Sequence, residues 1–154
     1  MLNNSDKINF ESNKTSHMIT IRFFSNRSNM FFERRIVVNK YESIKDSLQY
    51  FIKSIGEVDI QHYSITEVIN IANQSRLEFF NEHHRLEHFW GDVMSYIVEF
   101  MDESNNYDEI LIVGNIDCDA SELRKVIYQL NDKFKVINIY EYEDCWIKRI
   151  DNSN

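Results

Sequence analysis

The predicted fold class depends on residues 107–142, which read YDEILIVGNIDCDASELRKVIYQLNDKFKVINIYEY. A buried strand is expected over Tyr107–Val113, because apolar residues run together there between polar flanks. Asp119 is a typical helix N-cap residue, which predicts a helix over Ala120–Asp132. A second strand is expected over Lys135–Tyr142. Since a strand–helix–strand crossover makes its two strands parallel, we predict a right-handed parallel unit here.

The chain before this segment predicts a hairpin and a well-marked helix. Met18–Phe24 and Phe31–Val38 have strand character, and the polar turn residues between them indicate an antiparallel hairpin. Ser43 can cap the following helix, and Gly56 supplies its C-terminal stop.

The region over residues 65–101 is predicted to be helical. Apolar residues recur there at three- and four-residue steps, and Ser64–Glu67 form an S-x-x-E capping box. One helix of this length would measure about 55 Å. Because a compact domain of this size has a diameter of about 38 Å, we expect a break within Asn81–His84, although one unbroken helix stays open.

These elements together predict an α+β fold. A small mixed β-sheet, built from the N-terminal hairpin and the C-terminal β-α-β unit, would pack against three or four helices, with a short last strand over Cys145–Ile150. The length of 154 residues suits one domain. We expect a flexible arm over residues 1–16, the domain over 17–150 and a tail over 151–154.

Composition argues against several classes of protein. There are three glycines, no proline and no glycine-rich phosphate-binding motif, so the usual nucleotide-binding enzymes are not expected. No apolar run reaches the roughly 18 residues of a membrane span, and the first residues lack the pattern of a secretory signal. Two cysteines make no disulfide framework, which indicates a reducing compartment and predicts a cytoplasmic protein.

The formal net charge of −8 is unevenly distributed. Residues 1–56 carry +4, whereas residues 57–106 carry −8 and residues 107–154 carry −4. An acidic field repels nucleic acid and anionic membranes and favours a basic protein partner. The arginines and phenylalanines that alternate within residues 22–35 could bind single-stranded nucleic acid. Because the overall charge opposes this, we predict neither a nucleic-acid nor a membrane partner.

The main candidate site lies where the two predicted parallel strands end. Open α/β sheets usually bind ligands at this edge. It gathers five carboxylates and two large aromatic residues: Asp117, Asp119, Glu141, Tyr142, Glu143, Asp144 and Trp146. The acids could be a helix cap and solvated loops, a recognition patch with Tyr142 and Trp146 as anchors, or a divalent-metal site of hydrolase type.

A second candidate is the histidine pair His84 and His88. On a helix these residues share one face at zinc-ligand spacing, and residues 84–88 resemble the H-x-x-E-H pattern of inverted zinc peptidases. We expect an exposed helix face or a bend here and predict no cofactor and no metal site.

We therefore hypothesise a small acidic cytosolic inhibitor, without enzymatic activity, that neutralises a basic partner enzyme by occlusion. An immunity protein or antitoxin against a nuclease-type toxin fits, because a nuclease must be basic to bind phosphate. One alternative is a small divalent-metal-dependent hydrolase that uses the carboxylate cluster. The other is a structural subunit that binds its partner through the long helix.

Overall fold

The computed structural model describes residues 15–77 and 85–150, which form six β-strands and two α-helices. In chain order these are β1 (Thr15–Ser25), β2 (Met30–Asn39), α1 (Ile44–Ile55), β3 (Val58–Asn70), β4 (Trp90–Met101), β5 (Tyr107–Asn115), α2 (Ala120–Leu130) and β6 (Lys135–Lys148). Two short 3₁₀ turns, Gln74–Arg76 and Arg85–His88, lie between β3 and β4. Neither helix in the described ranges combines the length and the apolar character needed to cross a membrane.

The strands form a closed barrel in the order β1-β2-β6-β4-β5-β3. The chain builds the same ββαβ unit twice, first as β1-β2-α1-β3 and then as β4-β5-α2-β6. In each unit the first strand is central and pairs antiparallel with the other two. The units meet along two parallel seams, β2–β6 and β3–β5. The architecture is therefore duplicated although the sequence shows no repeat.

Three apolar clusters follow from this arrangement. One contains Phe51 of α1 with residues of β1 and β2, and a second contains Leu123 and Ile127 of α2 with residues of β4 and β5. The third cluster takes residues from all six strands and fills the barrel: Met18, Val37, Val68, Val93, Val113, Cys145 and Ile147, with Leu77 beside them. Each helix thus covers the outer face of its own sheet, while the inner faces share one interior.

Several local predictions are confirmed. β1 and β2 form the antiparallel hairpin, and α1 begins after Ser43, whose hydroxyl accepts a hydrogen bond from the Asp46 amide. The helix ends at Gly56, which has a φ of 79°. Asp119 caps α2 as predicted. Thr15 and Ser16, assigned to the arm, belong to β1; the rest of the predicted arm and the tail lie outside the described residues.

The prediction of three or four helices is wrong. Most of the described part of residues 65–101 belongs to β3 and β4, and the capping-box sequence Ser64–Glu67 lies inside β3. The physical reason is that β3 pairs with β1 along its whole length, which overrides a local capping pattern. The expected break within Asn81–His84 lies outside the described residues.

The C-terminal crossover needs two corrections. β5 and β6 run parallel, as predicted, but they are not neighbours, because β4 lies between them and pairs antiparallel with both. No separate strand follows at Cys145–Ile150, since β6 continues without interruption to Lys148. Helix α2 therefore crosses over β4, as α1 crosses over β1.

Candidate functional site

The two parallel seams are short, and a cleft lies beside each. The β2–β6 seam pairs only Ile36 with Trp146 and Val37 with Ile147, within two strands of 10 and 14 residues. The β3–β5 seam likewise pairs only Ile69 with Ile112 and Asn70 with Val113. The paired residues lie late in all four strands, so both seams are open along the earlier parts of these strands.

The cleft beside the first seam, here the β2–β6 cleft, has a volume of about 800 Å³. Five of the seven residues predicted for the site line it: Glu141, Tyr142, Glu143, Asp144 and Trp146. The other lining residues are Glu33, Arg34 and Arg35 of β2, Asp92, Val93 and Met94 of β4, Ile116 and Cys145. The cleft therefore collects five acidic and two basic side chains.

Asp117 and Asp119 do not line this cleft, and both are engaged elsewhere. The Asp119 carboxylate accepts a hydrogen bond of 2.7 Å from the Glu122 amide at the start of α2. Asp117 lies 2.8 Å from the guanidinium of Arg76, which also contacts Glu122 at 2.7 Å. The hydrogen bonds that the Arg76 guanidinium donates to Glu122 and then to Asp117 raise its pKa. Asp119 is thus a structural cap, and the charge of Asp117 is compensated.

Glu143 is held on both its side chain and its backbone. Its carboxylate forms an ion pair with Arg35, which also lies 3.3 Å from Glu33. The buried Ser95 hydroxyl donates to the Glu143 carbonyl at 2.8 Å and accepts from the Glu143 amide at 3.0 Å. These bonds bridge the irregularity in the β4–β6 ladder between Met94 and Tyr96. Glu143 therefore fixes the shape of the cleft and is largely neutralised.

Glu141 and Asp144 differ from the other predicted acids. Both are exposed, and within residues 15–77 and 85–150 their side chains form no ion pair or hydrogen bond. Between them Tyr142 is 51% exposed. These three residues present uncompensated negative charge beside an exposed aromatic ring.

Trp146, the other predicted aromatic anchor, is partly buried and already contacts other side chains. The Arg34 guanidinium lies 5.5 Å from its ring centroid, and its ring stacks on Trp90 with centroids 6.0 Å apart. The ring is therefore part of the aromatic core beside α1, covered by a cation. Tyr142 is the more exposed of the two predicted aromatic residues at the cleft.

Sequence reasoning missed the residues that β2 and β4 contribute. Arg34 and Arg35 were considered only as part of a basic, aromatic hairpin, and Asp92 was assigned to a helix. Their position depends on the pairing of β2 with β6, which no local pattern encodes. The one available signal was the complementary charge of an Arg-Arg pair and the acidic segment at 141–144.

The described residues offer no other chemical centre. Among them, no three His, Cys, Asp or Glu side chains lie close enough together to hold a metal ion. His84 lies outside the described residues, so the candidate histidine pair is not tested. Burial raises the thiol pKa of both Cys118 and Cys145 to about 11, and Glu122 adds to the effect at Cys118. Both cysteines are thus protonated, poor nucleophiles at neutral pH.

Comparisons with known proteins add no family assignment. No family model matches this chain, and neither a curated protein nor a solved structure matches it.

Proposed function

We propose that this chain is a small acidic binding protein that neutralises a basic protein partner by occlusion, as an immunity protein or antitoxin does with a nuclease-type toxin. The observation that carries the proposal is the exposed segment Glu141–Asp144 at the β2–β6 cleft, in which Glu141 and Asp144 form no ion pair with any described residue. A cytoplasmic location belongs to the same proposal.

Charge and shape support this proposal together. A nuclease carries lysines and arginines that bind phosphate, and uncompensated carboxylates on an inhibitor attract the same groups. Long-range attraction raises the association rate, while a buried aromatic anchor lowers the dissociation rate. We assign this anchoring role to Tyr142, because it lies between Glu141 and Asp144 in β6 and is half exposed.

The two alternatives receive less support. The structural-subunit alternative required a long helix over residues 65–101. It is not supported, because β3 and β4 occupy most of the described part of these residues. A metal-dependent hydrolase is favoured by no observation in the described ranges, where Asp117 and Glu143 are paired with arginines. Binding without chemistry is the function that the cleft supports best.

The test is a titration of basic nuclease toxin domains with this chain, following both cleavage of nucleic acid and association rates. The product of any reading frame adjacent to the gene of this chain is the first domain to try. We expect inhibition at stoichiometric concentrations and an association rate that falls steeply as salt rises.

A matched pair of variants makes the test specific. Glu141→Gln with Asp144→Asn removes the two free charges and should weaken binding about tenfold or more, since close interfacial charge pairs couple by about 1.5 kcal/mol or more. Glu103→Gln with Asp132→Asn removes two exposed charges outside the cleft and should change affinity little. Equal effects of the two double variants, or salt-independent association, would contradict the proposal. Glu143 is left intact because it pairs with Arg35.

A further inference from the structure

A second cleft lies beside the β3–β5 seam and is called the β3–β5 cleft. It has a volume of about 340 Å³ and is lined by Thr15, Thr66, Glu67, Val68, Ile69, Ile97, Glu109, Ile110, Leu111 and Tyr142. Most of these side chains are apolar, and among them there is no lysine or arginine. The cleft therefore has an apolar lining to which only Glu67 and Glu109 add charge.

One wall of this cleft is an open strand edge. β3 pairs with β1 along its whole length but with β5 only through Ile69 and Asn70. In a strand that pairs on one side, alternate residues direct their amide and carbonyl groups away from the partner. Residues 61–67 are all exposed, whichever face of the strand they occupy. This part of β3 thus presents backbone groups that no strand of the described fold satisfies.

Within the described residues, no strand covers the open edge of β3 before Ile69. Natural proteins shield edge strands with lysines, prolines or covering elements, because an open edge is a template for another strand. Residues 62–68 read HYSITEV and contain neither lysine nor proline. Tyr63 and Ile65 are 43% and 44% exposed, and Ile65 and Thr66 are β-branched residues suited to strand pairing. β5 is also open toward the cleft over residues 107–111, because it meets β3 only from Ile112 onward.

The negative charge of this cleft indicates that a segment pairing here would be basic. Glu67 on β3 and Glu109 on β5 are both exposed, and within the described ranges neither carboxylate forms an ion pair or a hydrogen bond. Glu99 lies directly opposite Glu109 on β4, which adds to the negative field. Side chains of an added strand alternate, so basic residues could meet Glu67 and Glu109 while apolar residues cover Ile97.

We propose that an extended, basic segment of a partner protein adds a strand at the β3–β5 cleft by pairing with the open edge of β3. The backbone hydrogen bonds would hold the segment, and the alternation of basic and apolar side chains would select it. This site does not include Glu141 or Asp144, although Tyr142 lines both clefts, and it does not depend on the inhibitory function proposed above.

The test uses a ten-residue peptide of alternating lysine and valine as the probe and the full chain as its receptor, with binding followed by fluorescence anisotropy. Two peptides of matched length are compared with it: one with glutamate in place of lysine, and one with the same side chains but N-methylated alternate amides. We expect the lysine–valine peptide to bind, and each of the other two to bind at least tenfold more weakly. Amide hydrogen exchange over residues 62–68 should slow on binding.

Variants of the chain separate this site from the β2–β6 cleft. Glu67→Gln with Glu109→Gln should weaken peptide binding at least tenfold, whereas Glu141→Gln with Asp144→Asn should change it less than twofold. Both pairs are exposed, and thermal unfolding by circular dichroism confirms that each variant is folded.

Three results would overturn the proposal. Binding of the N-methylated peptide with undiminished affinity would show attraction without strand pairing. Loss of binding only in the Glu141/Asp144 variant would assign the peptide to the other cleft. Self-association of the chain that Ile65→Lys abolishes, together with failure to bind the lysine–valine peptide, would assign the open edge to a second copy of this protein.

Discussion

The hydrogen bond between Trp90 and Ser54 predicts a measurable coupling between the two units of the barrel. Trp90 begins β4 in the second unit, is 3% exposed, and its indole N–H donates to the Ser54 hydroxyl of α1 at 2.8 Å. The Ser54 hydroxyl in turn donates to the Phe51 carbonyl at 2.7 Å. The indole also packs on Tyr50, with ring centroids 5.2 Å apart. This contact therefore joins a helix of one unit to a strand of the other.

Each substitution should lower the free energy of unfolding by an amount set by the groups that it removes or leaves unpaired. Ser54→Ala leaves a buried indole N–H without an acceptor, which costs about 1–3 kcal/mol. Trp90→Phe removes the donor and part of the ring, and we expect a loss of about 2 kcal/mol from the bond and the missing volume. In the double variant the bond is lost only once, so the effects should fall short of additivity by about 1 kcal/mol. Trp90→Ala should cost about 3–5 kcal/mol.

The assay is equilibrium urea unfolding followed by far-ultraviolet circular dichroism, because removing a tryptophan alters the fluorescence signal. Tyr41→Ala is the control, since Tyr41 is 83% exposed and its loss should change stability by less than about 0.5 kcal/mol. Strictly additive effects of Ser54→Ala and Trp90→Phe would refute the bond. A cost below about 1 kcal/mol for Trp90→Ala would refute the burial of the ring.

Two further predictions concern stability. Asp119→Ala should lower the free energy of unfolding by about 1 kcal/mol because the cap of α2 is lost, while Asp119→Ser should retain most of the stability. Urea unfolding measures both variants. Equal unfolding midpoints for Asp119→Ala and the unsubstituted chain would contradict the capping role. Burial raises the pKa of the Cys145 thiol from 9.0 to about 11, so its contribution to stability is complete below pH 9 and is lost as the pH rises through 11. The stability difference between the unsubstituted chain and Cys145→Ala should therefore shrink by up to about 3 kcal/mol across this range, and parallel pH profiles would contradict it.

The elements that sequence reasoning identified are those with local signals. The hairpin follows from strand composition around a polar turn, and both helices begin at side chains that cap them, Ser43 and Asp119. Such signals act within a few residues and do not depend on the rest of the fold. They predicted β1, β2, α1, β5 and α2 to within about two residues at most ends, which is the margin by which assignments of element ends commonly differ.

β3 and β4 were missed because neither shows the alternation of a half-buried strand. β4 is the central strand of its sheet, with α2 outside and the barrel interior inside, so Trp90, Val93 and Tyr96 are all buried at three-residue spacing. The irregularity beside Met94 reinforces this helix-like period. β3 differs from β4 in the opposite direction. Its residues 61–67 are exposed on both faces of the strand, so buried and exposed residues do not alternate there.

The candidate site was partly predictable. The crossover correctly predicted that β5 and β6 run in the same direction, and residues 141–146 of β6 line one cleft. Which acids are free could not be predicted, because the arginines that neutralise Asp117 and Glu143 come from other parts of the chain. Arg76 reaches Glu122 across 46 positions of sequence, and Arg35 reaches Glu143 from the other unit.

The two ββαβ units can be compared to ask whether this fold requires acidic residues. Residues 15–70 and residues 90–148 build the same ββαβ unit, yet the first carries a net charge of +1 and the second −8. The fold itself therefore does not require acidic residues, and their mutual repulsion opposes folding. Arg35 of the first unit neutralises Glu143 in the β2–β6 cleft, whereas no lysine or arginine among the described residues lines the β3–β5 cleft. Because the architecture does not require this excess of negative charge, the excess supports a role in binding a basic partner.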